Sequence, residues 1–165
     1  MLTPMALNEI QVAYSHSNAE PAKSYREQLA SFPSLFGKMS MGGRCVAYFK
    51  FTDGTWMAQM SESSMVGGVG LGYAKHAEQV LMDCFALEAP NKTVEFVYTE
   101  LQCCGTGSGM RNCRQAMEDF LTTHGEHGAQ TPVYYSFPYP AGGDTTSKST
   151  RADSIEQLKK EAKNF

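Results

Sequence analysis

The sequence predicts an α/β fold in which helices pack on both faces of a mixed sheet of about four to five strands, a three-layer α/β/α arrangement. Two observations support this prediction. The 165 residues include 42% hydrophobic and 19% charged residues, which is enough apolar material for one domain with a buried core. Along the chain, a hairpin signal is followed by segments in which strand and helix periodicities alternate. We therefore expect a single domain over residues 1–165.

The individual elements follow from local sequence patterns. Asn18 can cap a short amphipathic helix, and Asp53-Gly54 is a two-residue turn signal between two strand-like segments. Residues 93–99 are almost all apolar or β-branched, which is typical of a central strand. The predicted elements are helix 18–31, strands 45–51 and 55–60, helix 76–88, strand 93–99, helix 113–124, strand 131–137 and helix 153–165.

The segments between these elements are rich in glycine, proline or small polar residues, which indicates loops and connectors. Asp153 and Glu156 match a capping box, so the last helix is expected to begin at Asp153. No segment between residue 137 and that helix suggests a further strand. Segments without a predicted helix or strand include 1–17, 32–43, the glycine-rich loop 67–72 and the connector 138–152.

Net charge and cysteine count exclude several classes of protein. The formal net charge is −3, which argues against a generally basic nucleic-acid coat protein but not against a local basic groove. No apolar stretch is long enough to span a bilayer, and the N-terminus lacks a signal-peptide pattern. Five cysteines, an odd number, argue against a fully paired disulfide framework. Cys45 and Cys84 fall on predicted apolar faces and are expected to be buried core thiols.

The other three cysteines lie within eleven positions and, together with a histidine, form a candidate metal site. His76 and Glu78 open one predicted helix, and Cys113 opens the next. A catalytic zinc ion takes three protein ligands and keeps one open position, and one imidazole with two thiolates would supply those ligands. Glu78 follows the histidine by two residues, close enough to reach water on the metal. The pattern matches the H-x-E … P-C-x-x-C signature of zinc deaminases.

The chain departs from that signature in two places. Cys103 stands where the signature has proline, and residues 105–112 form an eight-residue spacer where the signature has two residues. The spacer is rich in glycine, so it can loop out while the cysteines converge. The spacing alone leaves open whether Cys103 or Cys104 is the second ligand.

On these residues the chain resembles the cytidine-deaminase superfamily. The matching motifs are KHAEQ (75–79), TELQCC (99–104) and NCRQAMEDF (112–120). The resemblance covers a core of about 45–137, to which helices 18–31 and 153–165 are additions. Within the superfamily the chain is most similar to bacterial polymorphic-toxin deaminases that act on cytosine in single-stranded DNA. The similarity lies in the glycine-rich loop before HAE, the expanded cysteine spacer and the two added helices. An Asn-x-Glu motif, usual in nucleoside enzymes, is missing from residues 51–75.

The resemblance implies zinc-dependent, hydrolytic deamination of cytosine to uracil. Zn2+ would be held by His76, Cys104 and Cys113, because Cys104 occupies the cysteine position of the family pattern Thr-Glu-x-x-Pro-Cys. Glu78 would transfer protons between water and the ring nitrogen of the base. The substrate would be single-stranded or flipped out of a duplex, because a stacked base cannot enter such a pocket.

The resemblance also implies partners and a setting. Ala77 and Cys103 would lie beside the base of a single-stranded DNA substrate. The domain would be the toxic part of a secreted bacterial effector, mutagenic in the cytoplasm of the target cell. A cognate immunity protein would neutralise it.

Two alternatives remain. The C-R-Q run at 113–115 is shared with free cytidine deaminases, so a nucleoside or RNA substrate is the first alternative. A fourth ligand from Cys103 would close the metal site, and the chain would then be a non-catalytic, zinc-stapled interaction domain.

Overall fold

A computed structural model describes residues 7–31, 44–61, 76–103 and 112–162, together with the backbone of four two-residue strands. The strands are β1 (Glu9–Gln11), β2 (Pro33–Ser34), β3 (Gly37–Lys38), β4 (Val46–Phe51), β5 (Trp56–Met60), β6 (Met65–Val66), β7 (Val69–Gly70), β8 (Val94–Leu101) and β9 (Val133–Phe137). The α-helices are α1 (Glu20–Ser31), α2 (Ala77–Glu88), α3 (Cys113–His124) and α4 (Thr145–Glu161). None of the helices in the described ranges is long and apolar enough to cross a membrane.

Five strands form one mixed sheet in the order β1-β9-β8-β4-β5. The β4–β5 pair is the predicted hairpin, and Gly54 in its turn has a φ of +89°, a conformation that favours glycine. Strand β8 runs antiparallel to β4 and parallel to β9. Its central position explains its apolar sequence, since both of its faces are covered. The mixed sheet confirms the predicted fold class.

Alternation along β4 sorts side chains into two cores. Ala47, Phe49 and Phe51 face a cluster with residues of α2 and α3, whereas Val46 and Tyr48 face a cluster with residues of α1 and α4. Two helices therefore cover each face of the sheet, and the fold has the predicted three layers. The helices α2 and α3 lie on the same face, which brings their N-termini together.

The fifth strand of the sheet is β1, from the N-terminal segment, where hydrophobic residues follow no strand or helix periodicity. Strand β1 pairs in parallel with β9, with Glu9 opposite Val133 and Gln11 opposite Tyr135. Three residues are too few to establish an alternation, and two of them are partly or fully exposed polar side chains. Residues 9–11 form a strand because they pair with β9, which lies over 120 residues away along the chain.

The predicted start of the last helix is wrong. Helix α4 begins at Thr145, inside the expected connector, and Asp153 lies within it. The N-cap is Asp144, whose carboxylate accepts a hydrogen bond of 3.0 Å from the Ser147 backbone N–H. A run of serine and threonine with low helix propensity fills the first turns, so the segment has the composition of a loop. The cap and the packing of Leu158 against the sheet make it a helix.

Candidate active site

The N-terminus of α2 holds the histidine and the carboxylate. His76 is the N-cap residue, and its backbone N–H donates to Oε1 of Gln79 at 3.2 Å. Glu78 lies in the first turn and is only 4% exposed. Leu81 and Phe85 on the same helix are buried in the core cluster that includes α3 and the sheet. The apolar face of α2 therefore fixes where its first turn points.

The N-terminus of α3 supplies the thiol. Cys113 is the first residue of the helix and is fully buried. Asn112 caps the helix from a left-handed conformation (φ +50°), with its side-chain oxygen accepting from the Gln115 N–H. Cys113 Sγ lies 3.3 Å from Nδ1 of His76. The partial positive charge of a helix N-terminus favours a thiolate at this position.

Ligand atoms of His76, Glu78 and Cys113 all lie within 4.8 Å of one another. Two ligands of a tetrahedral zinc ion, one nitrogen and one sulfur, are about 3.6 Å apart from the usual bond lengths. The observed 3.3 Å between the imidazole and the thiol is close to that separation. Imidazole and thiolate are also the donor types that zinc prefers. The residues present therefore fit a zinc ion.

Of the two adjacent cysteines in the TELQCC motif, only Cys103 lies in the described part of the chain. Cys103 is buried in the apolar cluster beside α2 and α3, and its sulfur is not part of the group within 4.8 Å. Cys104, the expected second thiolate, lies outside the described residues. The assignment of Cys104 as a ligand therefore stays a prediction.

Thr99 on β8 holds the Glu78 carboxylate. The Thr99 hydroxyl oxygen is 2.9 Å from Oε1 of Glu78 and 2.7 Å from the carbonyl oxygen of Leu101. The hydroxyl has one proton, so it donates to one of these acceptors at a time. With an ionised Glu78, it donates to the carboxylate. With a protonated Glu78, it accepts from the carboxyl and donates to Leu101. The same threonine can therefore satisfy both protonation states.

Cys45 is buried, as predicted, but it lines the cavity beside Glu78. Its sulfur accepts a hydrogen bond from the Leu101 N–H at 3.4 Å and lies 3.6 Å from the Thr99 hydroxyl. Burial, followed by the nearby carboxylates of Glu78 and Glu100, raises the pKa of the Cys45 thiol. Cys45 thus stays a neutral thiol in the wall. The expectation for Cys84 is wrong, because this residue of α2 is only half-buried.

His76, Glu78 and Cys45 line a cavity of about 190 Å³, and Thr99 and Cys113 contact these lining residues. The α2 start contributes His76, Ala77 and Glu78. Of the TELQCC residues in the described part of the chain, Leu101 and Gln102 line the cavity and Cys103 does not. The other lining residues in the described part of the chain belong to the base of the β4–β5 hairpin and to the segment leading into and along α4: Arg44, Cys45, Ser61, Tyr139, Ile155 and Leu158.

Arg114 and Gln115 of the C-R-Q run do not line this cavity. Nε of Arg114 forms an ion pair with Oε1 of Glu9 on β1, at 2.8 Å. The Gln115 side chain donates to Asp119 one turn along α3. Both side chains therefore stabilise the surface of α3 and its contact with β1.

Sequence reasoning missed two residues of the site. Thr99 lies inside the quoted TELQCC motif, and its place four residues before the first cysteine was the available signal. Arg44 has no motif around it, and only the tertiary fold brings it to the same cavity as the start of α2 and residues of α4.

A buried carboxylate beside an imidazole and a thiol, at the N-termini of two adjacent helices on a mixed sheet, fits a hydrolytic deaminase. A comparison with protein-family models matches residues 42–159 to the Xanthomonas-like deaminases. The chain belongs to this family, a toxin-type deaminase family of the cytidine-deaminase superfamily, which confirms the resemblance seen in the motifs. The match spans every residue that lines the cavity. Searches of curated proteins and of solved structures found no significant match.

Proposed function

We propose that this protein is a zinc-dependent cytosine deaminase that acts on single-stranded DNA. The observation that carries the proposal is the contact between His76 and Cys113, with Glu78 beside them, at one cavity in a chain of a deaminase family. His76, Cys113 and Cys104 would hold the zinc ion, and Ala77 would lie on the substrate side. When bound, zinc supplies activation of water near neutral pH.

Glu78 moves the protons in this mechanism. It accepts a proton from the attacking water and delivers it to the ring nitrogen N3 of cytosine. The water oxygen adds to C4, the C4–N4 bond breaks, and the second water proton leaves with the amine as ammonia. The hydrogen bond with Thr99 keeps the carboxylate aimed at the cavity through both protonation states.

The shape of the site favours a base presented without its stacking neighbours. The cavity is small for a ligand pocket, which suits one base rather than a stacked pair. The Glu78 carboxylate in the cavity wall is only 4% exposed. A base in duplex DNA would therefore have to flip out of the double helix to reach it. Single-stranded DNA offers such a base at a smaller unstacking cost.

The biological setting is part of the proposal. The chain, taken as one deaminase domain over 1–165, would be the toxic domain of a secreted bacterial effector that acts in the target-cell cytoplasm. A cognate immunity protein would neutralise it by covering the cavity. Membership of a toxin-type family supports this setting.

The alternatives have less support. The C-R-Q run favours a nucleoside substrate, but Arg114 and Gln115 have structural partners on the surface. A closed structural zinc site would need a fourth ligand, and the sulfur of Cys103 lies outside the group of ligand atoms.

The proposal is tested by a uracil assay. A cytosine-containing single-stranded oligonucleotide is incubated with the protein, treated with uracil glycosylase and alkali, and examined for strand cleavage. Duplex DNA, RNA and cytidine are tested in parallel, and the zinc content of the purified protein is measured. We expect cleavage of the single strand and about one zinc per chain. Turnover of cytidine with no product from any oligonucleotide would make the protein a nucleoside deaminase, and no turnover at all would favour the interaction domain.

Thr99→Val is expected to lower kcat by about 10- to 100-fold. Valine has nearly the shape of threonine but removes a hydrogen bond to a buried carboxylate, which is worth about 1–3 kcal/mol. Thr99→Ser keeps the hydroxyl and should retain most of the activity. Equal losses in the two variants, measured as initial rates with the same oligonucleotide, would mean that only packing at β8 matters.

A further inference from the structure

Arg44 lines the cavity and is half-buried, on a part of the backbone that is held by hydrogen bonds. Its carbonyl oxygen accepts a hydrogen bond of 2.8 Å from Nη2 of the buried Arg26. The backbone of the next residue, Cys45, is bonded to Ser61 in both directions, through the Ser61 hydroxyl and the Ser61 N–H. The base of the β4–β5 hairpin is thus tied together, and the arginine side chain extends from it along the cavity wall.

The Arg44 guanidinium is half-buried, and within the described ranges no carboxylate lies within 4 Å of it. Its Nη1 lies 3.9 Å from the sulfur of Met60, a weak acceptor. Burial lowers the pKa of this guanidinium, as expected for a cation that loses water without gaining a counter-ion. The other three arginines in the described part of the chain have acceptors: Arg26 pairs with Glu100, Arg114 pairs with Glu9, and Arg151 donates to the carbonyls of Pro140 and Gly142.

A half-buried cation with no anion beside it costs free energy unless a ligand supplies one. The planar guanidinium binds phosphate oxygens in pairs, which makes arginine well suited to phosphate recognition. Of the described residues that line the cavity, Arg44 is the only lysine or arginine, in a chain of net charge −3. A half-buried positive charge in the cavity wall, with the more deeply buried carboxylate of Glu78 in the same cavity, suits a ligand with an anionic group near solvent and a neutral base inside.

We propose that Arg44 binds a phosphate next to the target cytosine, so that the substrate class is a phosphorylated cytosine nucleotide, in a strand or free, and not the nucleoside or base. The inference rests on the proposed deaminase function. The phosphate is either the 5′-phosphate of the target nucleotide or a phosphodiester of a neighbouring one.

The test compares Arg44→Met with Lys50→Gln. Lys50→Gln removes one positive charge, as Arg44→Met does, but at the opposite end of β4 and from a residue that does not line the cavity. Arg44→Met leaves the carbonyl bond to Arg26 in place, and Arg44→Lys keeps the charge but loses the planar fork. Each variant is assayed with a cytosine oligonucleotide, deoxycytidine 5′-monophosphate and deoxycytidine.

We expect Arg44→Met to raise KM for the oligonucleotide by about 10- to 100-fold with little change in kcat, because a phosphate contact is made before and during the reaction. Arg44→Lys should lie between Arg44→Met and the parent, and Lys50→Gln should match the parent. A similar rise in KM for the monophosphate identifies the phosphate of the target nucleotide, and a rise for the oligonucleotide alone identifies a neighbouring phosphodiester. An unchanged KM, or an equal loss with deoxycytidine, would overturn the inference.

A binding experiment separates this inference from the proposed function. In a Glu78→Gln background, where substrate is not consumed, a labelled single-stranded oligonucleotide is titrated at several salt concentrations and followed by fluorescence anisotropy. Loss of one phosphate contact should weaken binding and reduce the slope of log K against log salt by about 0.7. An unchanged slope in Arg44→Met contradicts the role of Arg44. A wild-type protein that forms no uracil on any substrate contradicts the proposed function, whatever the slope.

Discussion

Glu78→Gln is expected to abolish deamination while the protein keeps its fold and its metal. Glutamine has the size of glutamate, and its amide oxygen can still accept the hydrogen bond from Thr99. The amide cannot take a proton from water and pass it to the base, and general acid–base transfer contributes about 10²- to 10⁴-fold to such reactions. We therefore expect kcat to fall by at least about 10²-fold in the oligonucleotide assay.

The matched control is Glu88→Gln, at the exposed C-terminal end of the same helix. It makes the same chemical change and the same change in net charge, so it should keep full activity. Circular dichroism and zinc content should be equal in the two variants and the parent. Substantial activity in Glu78→Gln, with zinc content preserved, would contradict the catalytic role assigned to this carboxylate.

Arg26→Met is expected to destabilise the fold by about 3–5 kcal/mol. The Arg26 side chain is 1% exposed and pairs with the fully buried Glu100. Glu100 also accepts hydrogen bonds from the Tyr14 hydroxyl at 2.5 Å and from the Val46 N–H at 2.8 Å. Methionine fills much of the volume of arginine but leaves the carboxylate buried without its counter-charge. The free energy of unfolding is measured by urea denaturation.

Lys23→Met is the control on the same helix. Lys23 pairs with Glu20, whose side chain is 61% exposed, and a solvated pair of this kind is worth at most about 1 kcal/mol. The double variant Arg26→Met with Glu100→Met should recover part of the loss, because neither charge is then buried alone. Strictly additive losses in the double variant would contradict the account of Glu100 as an uncompensated charge.

The Arg26–Glu100 pair also bears on the active site. Glu100 directly follows Thr99, and Arg26 donates to the carbonyl of Arg44. One buried ion pair therefore positions both the threonine that holds Glu78 and the arginine in the cavity wall. On heating, the Arg26→Met variant should lose its deaminase activity at a lower temperature than the parent protein.

Local sequence patterns were enough to predict the helices and strands that carry the residues of the proposed chemistry. Helical periodicity predicted α3 with the bounds observed and α2 to within one residue, and the Asp53-Gly54 turn predicted the β4–β5 hairpin. These elements have strong local signals, since their apolar stripes span three turns and the turn residues have special backbone requirements. The motif spacing then placed His76 and Cys113 at two helix starts, where the structure brings them within 3.3 Å.

Contacts between distant segments decided the rest. Strand β1 exists because β9 pairs with it, and α4 begins at Thr145 because Asp144 caps a stretch whose composition is that of a loop. The sequence by itself determined the sheet class, the family and the pairing of His76 with Cys113, because each depends on short-range periodicity or a compact motif. The bond from Thr99 to Glu78, the ion pair that supports it and the position of Arg44 at the cavity were decided only by tertiary structure. They join residues far apart along the chain, and no local pattern records which side chains will meet once the layers pack.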